Sequence, residues 1–378
     1  MPWKDFLRNM ATGTDEKVDR ITFNLRRRLN LFKPVYIVTY RSYGTPTRLY
    51  LKGRVLANKN IHSPDDHHNT WHNLVNMYKR FQTDEIPNAV LGVHYQDQHY
   101  TIVSDQEGYF MLNLAPETPL HLDDIWHQVE IELLESPIRF KEGEKATADV
   151  LVPPPDAEYG IISDIDDTII ETSATNLLKM SGKTFLNNAR TRLPFPGVSA
   201  FYNSLLLGRN GKRNNPFFYV SSSPWNLYDM LVDFLDVQAI PAGPLLLRDF
   251  GMSRNKPIPS GHKDHKLKEI ENILITYPHL DFILIGDSGQ EDPSIYREVV
   301  RRHPTRILAI YIRDVKIKKR AKIVEQISEE MKGGEVEMLL VPDPWTAAEH
   351  AAKNVFIFTE AIPEIEINTQ KDEAGPNP

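Results

Sequence analysis

Four continuous apolar segments in the second half of the chain constrain the fold most strongly. They cover residues 159–163, 217–221, 282–286 and 306–312, and amphipathic stretches near residues 224–236, 265–277 and 293–302 follow or separate them. Strands that are apolar throughout and joined by helices are typical of a parallel sheet buried on both faces. We therefore predict an α/β unit with a Rossmann-like parallel sheet, whose ligands bind beyond the carboxyl ends of the strands.

The first half of the chain has a different pattern. Short apolar or alternating segments are separated by turn residues, at residues 35–40, 48–56, 89–95, 99–105, 109–114 and 127–134. This spacing predicts an antiparallel β-sandwich. A helix is predicted between the second and third strands, from Trp71 to Phe81.

Three consecutive prolines, Pro153 to Pro155, separate these two patterns. Proline can continue neither a helix nor a sheet ladder, so we predict a linker there. A length of 378 residues also favours about two domains. We predict an N-terminal region with the β-sandwich domain at 1–152, the α/β domain at 156–368 and a disordered tail at 369–378.

Composition narrows the expected environment. The chain has no cysteine, which excludes disulfides and thiolate chemistry, and it has neither an apolar signal segment nor a run of about 18 apolar residues. We therefore expect a soluble, cytoplasmic protein. The net charge is −7, yet residues 1–60 contain 13 Lys and Arg against 4 Asp and Glu. This segment could hold the protein peripherally at an anionic membrane, or it could simply be a solvated basic surface.

Polar motifs follow three of the apolar segments in the second half. Asp164 and Asp166 belong to a D-x-D-x-T motif, and Asp287 and Asp292 to a G-D-x-x-x-x-D motif. Alternate residues of a strand point to the same side, so the first two carboxylates should lie together, one to attack and one to handle a proton. Crowded carboxylates favour a bound cation with a preference for oxygen ligands, such as Mg²⁺.

An attacking carboxylate beside a bound cation is compatible with phosphoryl transfer. That reaction also needs hydrogen-bond donors and positive charge around the transferred group. Ser221 at a strand end could supply a hydroxyl, and Lys266 at the start of a helix could supply the cation. Lys263 lies three residues earlier and could fill the same position. The alternative, that the aspartates are turn and cap residues, would explain one acidic turn but not this ordered set.

The order of these motifs resembles the haloacid dehalogenase superfamily. The phrases SDIDDTI, YVSSSPWNL, HKLKEIENIL and GDSGQEDPSIY are similar to the catalytic domain of the phosphatidate phosphatase family typified by the fungal actin-patch enzyme and its uncharacterised bacterial relatives. The phrases GRVL and D-x-x-G-Y-F in the first half resemble the β-sandwich of the bacterial members. In the family motif, His-Lys is followed by a helix that contains isoleucine, and only Lys266 fits this pattern.

This resemblance implies a mechanism and a site. Asp164 would be the nucleophile, Asp166 the general acid and base, and Ser221 and Lys266 would neutralise the transferred group. Mg²⁺ would be held by the Asp164 carboxylate, the Asp166 carbonyl and Asp287, with Asp292 nearby. Only 27 residues separate Thr168 from Pro196 and 28 separate Asp236 from His265, so little or no cap is expected.

Three functions remain open from the sequence. The first is the hydrolysis of phosphatidate or a related lipid at an anionic membrane surface. The second is the same chemistry on a soluble ester, a phosphoprotein or a nucleic-acid end, although a nucleic-acid partner is not otherwise expected. The third is a non-catalytic binding or scaffold protein.

One further cluster lies outside these motifs. His62, His67, His68 and His72 stand close to two aspartates in the first half of the chain. They could bind zinc, but a polar loop explains the same composition.

Overall fold

A computed structural model describes residues 35–57, 84–120, 124–170, 194–248, 262–334 and 336–374. Within these ranges, the contacts divide the chain into two units between Val152 and Pro153. The division falls at the start of the triple proline. Each unit has its own sheet and is described separately.

The first unit is built on a sheet of nine strands. They are β1 (Val35–Thr39), β2 (Ser42–Thr45), β3 (Arg48–Ala57), β4 (Asp84–Glu85), β5 (Val90–Tyr95), β6 (Gln98–Val103), β7 (Tyr109–Leu114), β8 (Trp126–Glu135) and β9 (Lys145–Leu151). All pairs are antiparallel except β2 with β9. The antiparallel sheet predicted for this half is thus observed, while its division into the two layers of a sandwich stays a prediction.

Alternation along the strands creates the core of this unit. In β8, Val129, Ile131 and Leu133 are buried while the residues between them are more exposed. Side chains of a strand alternate between its two faces, so these three residues lie on the same face. That face contributes to a buried cluster of aliphatic and aromatic residues drawn from strands across the sheet.

Two phrases singled out in the sequence, GRVL and D-x-x-G-Y-F, pack against each other in this unit. A Cβ on Gly53 would lie 2.3 Å from the ring of Phe110, so this close approach requires glycine. Gly108 has φ +79°, in the left-handed region that glycine adopts without strain. Asp105 Oδ1 accepts the N–H groups of Glu107 and Tyr109 at 2.9 Å and stabilises the same turn.

The second unit contains a parallel sheet of six strands in the order β12-β11-β10-β13-β14-β15. The strands are β10 (Gly160–Ser163), β11 (Phe217–Pro224), β12 (Leu245–Arg248), β13 (Phe282–Asp287), β14 (Ile307–Arg313) and β15 (Met338–Val341). All four residues of β10 and all six of β13 are buried. This matches the continuous apolar segments in the sequence, because a central parallel strand is covered on both faces.

Seven helices accompany this sheet in the described ranges. They are α1 (Val198–Leu207), α2 (Tyr228–Val237), α3 (His262–Thr276), α4 (Asp292–Arg302), α5 (Lys318–Met331), α6 (Pro344–Lys353) and α7 (Ile362–Ala374). Short 3₁₀ turns at Trp225–Leu227 and Thr359–Ala361 precede α2 and α7. None of the helices in the described ranges is long and apolar enough to cross a membrane.

Helix α7 corrects the prediction for the carboxyl terminus. Residues 369–374, assigned to a disordered tail from the sequence, are helical. Thr369 is 9% exposed, and its hydroxyl donates to the Ile365 carbonyl at 2.8 Å. Asp372 Oδ2 accepts the N–H of Gly197, 2.9 Å away, at the start of α1. The polar composition of this segment gave no sign of these contacts. The hydrogen bond from Gly197 to Asp372 connects α7 to the start of α1.

Three predictions from the sequence concern residues that the structure does not describe. The helix from Trp71 to Phe81 and the cluster of His62, His67, His68 and His72 lie outside the described residues. The basic segment up to residue 34 lies outside them as well.

Candidate active site

Three neighbouring strands of the parallel sheet bring the predicted polar motifs together. Strand β10 lies between β11 and β13, and all three run in the same direction. Asp164 follows the last residue of β10, Ser221 lies in β11, and Asp287 is the last residue of β13. The three side chains therefore meet at the carboxyl edge of the sheet, where ligands of such folds bind.

Asp164 is buried and held at both carboxylate oxygens. Its exposed fraction is 1%, and its N–H continues the strand pairing by donating to the Ile285 carbonyl at 2.9 Å. The Lys266 Nζ lies 2.8 Å from Oδ1, and the Thr168 hydroxyl donates to Oδ2 at 3.3 Å. These contacts fix the orientation of the carboxylate before any substrate arrives.

A tight turn after Asp164 sets the direction of Asp166. Asp167 has φ +61°, a left-handed conformation that few residues other than glycine adopt, and its N–H donates to the Ile170 carbonyl at 3.0 Å. The amide Nε2 of Gln290 donates to the carbonyl of Asp166 at 3.0 Å. The guanidinium of Arg313 donates to the carbonyl of Asp167 at 2.8 Å. Two distant side chains therefore hold the turn.

The side chain of Asp166 is partly exposed and receives two hydroxyl groups from β11. The Oγ of Ser221 donates to Asp166 Oδ2 at 2.8 Å, and the Oγ of Ser223 donates to the same oxygen at 2.9 Å. The N–H of Ser223 donates back to Ser221 Oγ at 2.9 Å. The Ser221 hydroxyl, expected to face a phosphoryl group, thus contacts the Asp166 carboxylate in this structure.

Asp287 and Asp292 form the other side of the site. Asp287 Oδ1 accepts the N–H groups of Gly289 at 2.6 Å and Gln290 at 3.0 Å. Asp292 Oδ2 accepts the N–H of Asp287 at 3.2 Å. A Cβ on Gly286 would lie 2.7 Å from Asp292 Oδ2, so the glycine of the motif makes room for this carboxylate.

Lys266 in helix α3 is the buried cation of the site. Its exposed fraction is 3%, and its Nζ lies 2.8 Å from Asp164 Oδ1 and 2.6 Å from Asp292 Oδ1. One ammonium group therefore bridges the candidate nucleophile and an acidic residue of the second motif. The side chain of Lys263, the alternative from the sequence, lies outside the described residues.

The acidic residues fit a hard divalent cation. Asp164, Asp287 and Asp292 are all buried, and each offers a carboxylate oxygen within 4.8 Å of the others. Asp287 Oδ2 is buried and has no hydrogen-bond donor among the described residues, which is the state expected of a metal ligand. Every donor is an oxygen, as Mg²⁺ prefers. The Asp166 carbonyl accepts one hydrogen bond from Gln290 and keeps a second lone pair.

The electrostatics of the cluster agree with this fit. Burial raises the pKa of Asp164 well above its ordinary value, and the nearby Asp292 carboxylate adds to the effect while Lys266 opposes it. Burial and Asp292 likewise raise the pKa of Asp287 to about 8, against the effect of Lys266. Burial alone would lower the pKa of Lys266, but the Asp164 and Asp292 carboxylates outweigh it and raise this pKa. Among the described residues of the site, the buried carboxylates outnumber the buried ammonium group of Lys266.

Three contacts of this site were not predicted from the sequence. Ser223 contacts Asp166, and Gln290 and Arg313 hold the turn after Asp164. Ser223 could have been found, because it stands two residues after Ser221 and strand side chains repeat with period two. Arg313 could have been found as well, because it directly follows the predicted strand at 306–312 and so lies at the carboxyl edge of the sheet.

Comparisons with known proteins agree with the geometry. Residues 159–314 match the family model of the catalytic domain of phosphatidate phosphatase APP1. The chain is 34% identical over 155 residues to phosphatidate phosphatase APP1 of Saccharomyces cerevisiae, across 41% of this chain and 25% of that protein. It is 29% identical over 219 residues to an uncharacterized protein of Schizosaccharomyces pombe, across 57% of this chain and 34% of that protein.

The chain therefore spans only 25% and 34% of the length of these two relatives. Among solved structures, it aligns with a carbohydrate acetylesterase from Xanthomonas citri at a TM-score of 0.25 and 8% identity, over 78% of this chain and 72% of that one. A score this low supports no conclusion. For residues 159–314, the resemblance inferred from the motifs is confirmed: this part of the chain is similar to the catalytic domain of phosphatidate phosphatase APP1.

Proposed function

We propose that the chain is a Mg²⁺-dependent phosphatase that hydrolyses a phosphate monoester through an aspartyl phosphate on Asp164. The observation that supports this most is the buried group of Asp164, Asp287, Asp292 and Lys266 at the carboxyl edge of the sheet. The group lies within the range similar to a phosphatase catalytic domain. Its residues supply a nucleophile, oxygen ligands and a cation in one place.

In the first step, the Asp164 carboxylate attacks phosphorus, and the bond from phosphorus to the leaving oxygen breaks. Asp166 gives its proton to that oxygen, so the product leaves as a neutral alcohol. Lys266 compensates the negative charge on the transferred group. The contacts of Asp164 with Lys266 and Thr168 orient the nucleophile for this attack.

In the second step, the Asp166 carboxylate takes a proton from water as the water oxygen attacks phosphorus. The acyl phosphate bond breaks, and Asp164 returns as a carboxylate while inorganic phosphate leaves. Asp166 thus acts as an acid first and a base second, and ends each cycle protonated. Asp166 lies two residues after the nucleophile on a short turn. From this position its side chain can reach the leaving oxygen and, later, the water.

We assign the cation site to the Asp164 and Asp287 carboxylates and the Asp166 carbonyl, with Asp292 beside them. Bound there, Mg²⁺ would offset the negative charge of the phosphoryl oxygens. The all-oxygen donor set and the unpartnered Asp287 Oδ2 support this assignment. Lys266 would then compensate Asp292 and the substrate side of the site.

For the substrate we propose phosphatidate, with diacylglycerol as the product. The support is the phosphatidate phosphatase activity for which the matching catalytic-domain family and the yeast relative are named. The proposal includes a haloacid dehalogenase-type fold for the second unit, with little or no cap, and a β-sandwich for the first. A cytoplasmic protein that associates peripherally with a membrane would meet such a substrate.

The decisive experiment measures phosphate release from phosphatidate in mixed micelles with Mg²⁺, beside a panel of soluble esters. The wild type is compared with Asp164→Asn and with Asp97→Asn, a matched control at an exposed turn of the first unit. Lipid hydrolysis that only Asp164→Asn abolishes supports the whole proposal. Hydrolysis of soluble esters alone retains the mechanism but removes the lipid substrate, and no hydrolysis of either class refutes the phosphatase assignment.

A further inference from the structure

Asp166 Oδ2 is held by two hydroxyl groups of one strand. Ser221 is fully buried and Ser223 is 8% exposed, and their Oγ atoms lie 2.8 and 2.9 Å from this oxygen. A serine hydroxyl has a single proton, so both protons are committed to Asp166. Neither hydroxyl can donate to a phosphoryl oxygen while these bonds exist.

The strand geometry explains why these two serines act together. Ser221 and Ser223 are separated by one residue in β11, so their side chains point to the same side. The pairing of β11 with β12 becomes irregular between Val220 and Pro224, and the Ser223 N–H donates to Ser221 Oγ at 2.9 Å instead. That bond fixes the two hydroxyl groups relative to each other.

We propose that Ser223 is a positioning residue that, together with Ser221, orients Asp166 for proton transfer to the leaving group. This inference rests on the proposed phosphatase function. Oδ2 is occupied by the two hydroxyl groups, whereas no described residue donates to Oδ1. Because Oδ2 accepts both hydroxyl groups, Oδ1 is the oxygen that we assign to face the leaving group. Two donors on a buried strand restrict the rotation of the carboxyl group, and proton transfer depends steeply on such alignment.

The chain offers a matched control in the residue between the two serines. Ser222 Oγ is buried and has no hydrogen-bond partner among the described residues. Ser222→Ala therefore removes a buried hydroxyl from the same strand without removing a hydrogen bond to Asp166. Ser223→Ala removes one of the two bonds and creates a cavity of the same size.

The test compares kcat/KM for two esters that differ in their need for an acid. The leaving group of a short-chain phosphatidate is an alkoxide, which needs the proton. The leaving group of p-nitrophenyl phosphate is a stable phenolate, which does not. The ratio kcat/KM covers the steps up to the phosphoryl transfer to Asp164, so the second half of the cycle does not enter. General acid catalysis typically contributes about 10²- to 10⁴-fold, and partial misalignment should forfeit about tenfold or more of it.

We expect Ser223→Ala to lower kcat/KM for the alkyl ester by about tenfold or more and for the aryl ester by less than about threefold. Ser223→Thr, which keeps the hydroxyl, should restore most of the loss, and Ser222→Ala should change both esters little. Equal losses on both esters, no loss on either, or the same profile in Ser222→Ala would overturn the role of Ser223 alone. A wild type inactive on both esters would overturn this role and the phosphatase function together.

Discussion

Replacing Asp287 with asparagine tests whether the acidic cluster is built for a cation. Asp287 is fully buried, and its pKa in the folded protein is about 8, because of burial and then the Asp292 carboxylate. The folded protein therefore holds a proton on this group between about pH 4 and 8 that the unfolded chain releases. The contribution of Asp287 to stability is complete below about pH 4 and is lost as the pH rises through about 8.

The size of the effect follows from the two pKa values. The difference between an ordinary 3.8 and about 8 corresponds to a penalty on the order of 5 kcal/mol above pH 8 in the absence of a cation. Asparagine carries no charge and keeps an Oδ1 acceptor for the N–H groups of Gly289 and Gln290. Because Asp292 shares the penalty, we expect Asp287→Asn to stabilise the cation-free protein by about 2–5 kcal/mol at pH 9.

The assay is denaturant unfolding in EDTA at pH 5, 7 and 9, repeated at pH 9 with Mg²⁺. Asp105→Asn is the matched control, because Asp105 Oδ1 also accepts two N–H groups but is exposed in the first unit. Mg²⁺ should stabilise the wild type and the control more than Asp287→Asn, since a ligand stabilises the state that binds it. A charge penalty at Asp287 is refuted if Asp287→Asn is less stable than the wild type in EDTA at pH 9, or if both proteins lose the same stability between pH 5 and 9.

Three further substitutions test separate parts of the structure. Lys266→Met leaves buried carboxylates without their cation, and we expect a loss of about 3–5 kcal/mol in EDTA at pH 8, measured by denaturant unfolding. Gly286→Ala places a Cβ 2.7 Å from Asp292 Oδ2. It should therefore raise the Mg²⁺ concentration that half-maximal activity requires and lower kcat, both measured by a Mg²⁺ titration of activity. Gly53→Ala places a Cβ 2.3 Å from the Phe110 ring and should destabilise the first unit by about 1–3 kcal/mol, measured by hydrogen exchange of β3.

Where the environment of a strand is uniform, its sequence predicts it well. The buried central strands β10 and β13 appear as continuous apolar runs, and their bounds differ from prediction by a residue at most. Strands β12 and β15 were not predicted, because they lack the flanking motif that marks β10, a strand of the same length. Strand β9 was missed although its residues alternate, because Ala146 and Ala148 on its less exposed face are small and have a low preference for strands.

Within the candidate site, too, some features could be predicted from the sequence and others could not. Asp164 and Asp287 were predictable, because each directly follows or ends an apolar strand in a recognisable motif. The bonds from Ser221 and Ser223 to Asp166 were not, because they depend on how two neighbouring strands end relative to each other. A motif gives the type and order of the residues. Whether the Ser221 hydroxyl donates to Asp166 or to a phosphoryl oxygen depends on the tertiary geometry.

The charge balance of the site links its parts. Among the residues that the structure describes, the carboxylates of Asp164, Asp166, Asp287 and Asp292 face the ammonium group of Lys266, which already contacts two of them. A phosphate monoester dianion would meet a site that is strongly negative unless protons or a cation compensate it. Protons on these carboxylates would disable the nucleophile, whereas a cation would leave Asp164 ionised and Asp166 free to hold the one proton that the reaction uses. Burial and then the Asp292 carboxylate raise the pKa of Asp287, and in the mechanism proposed above a bound cation would oppose this effect and keep the carboxylates ionised.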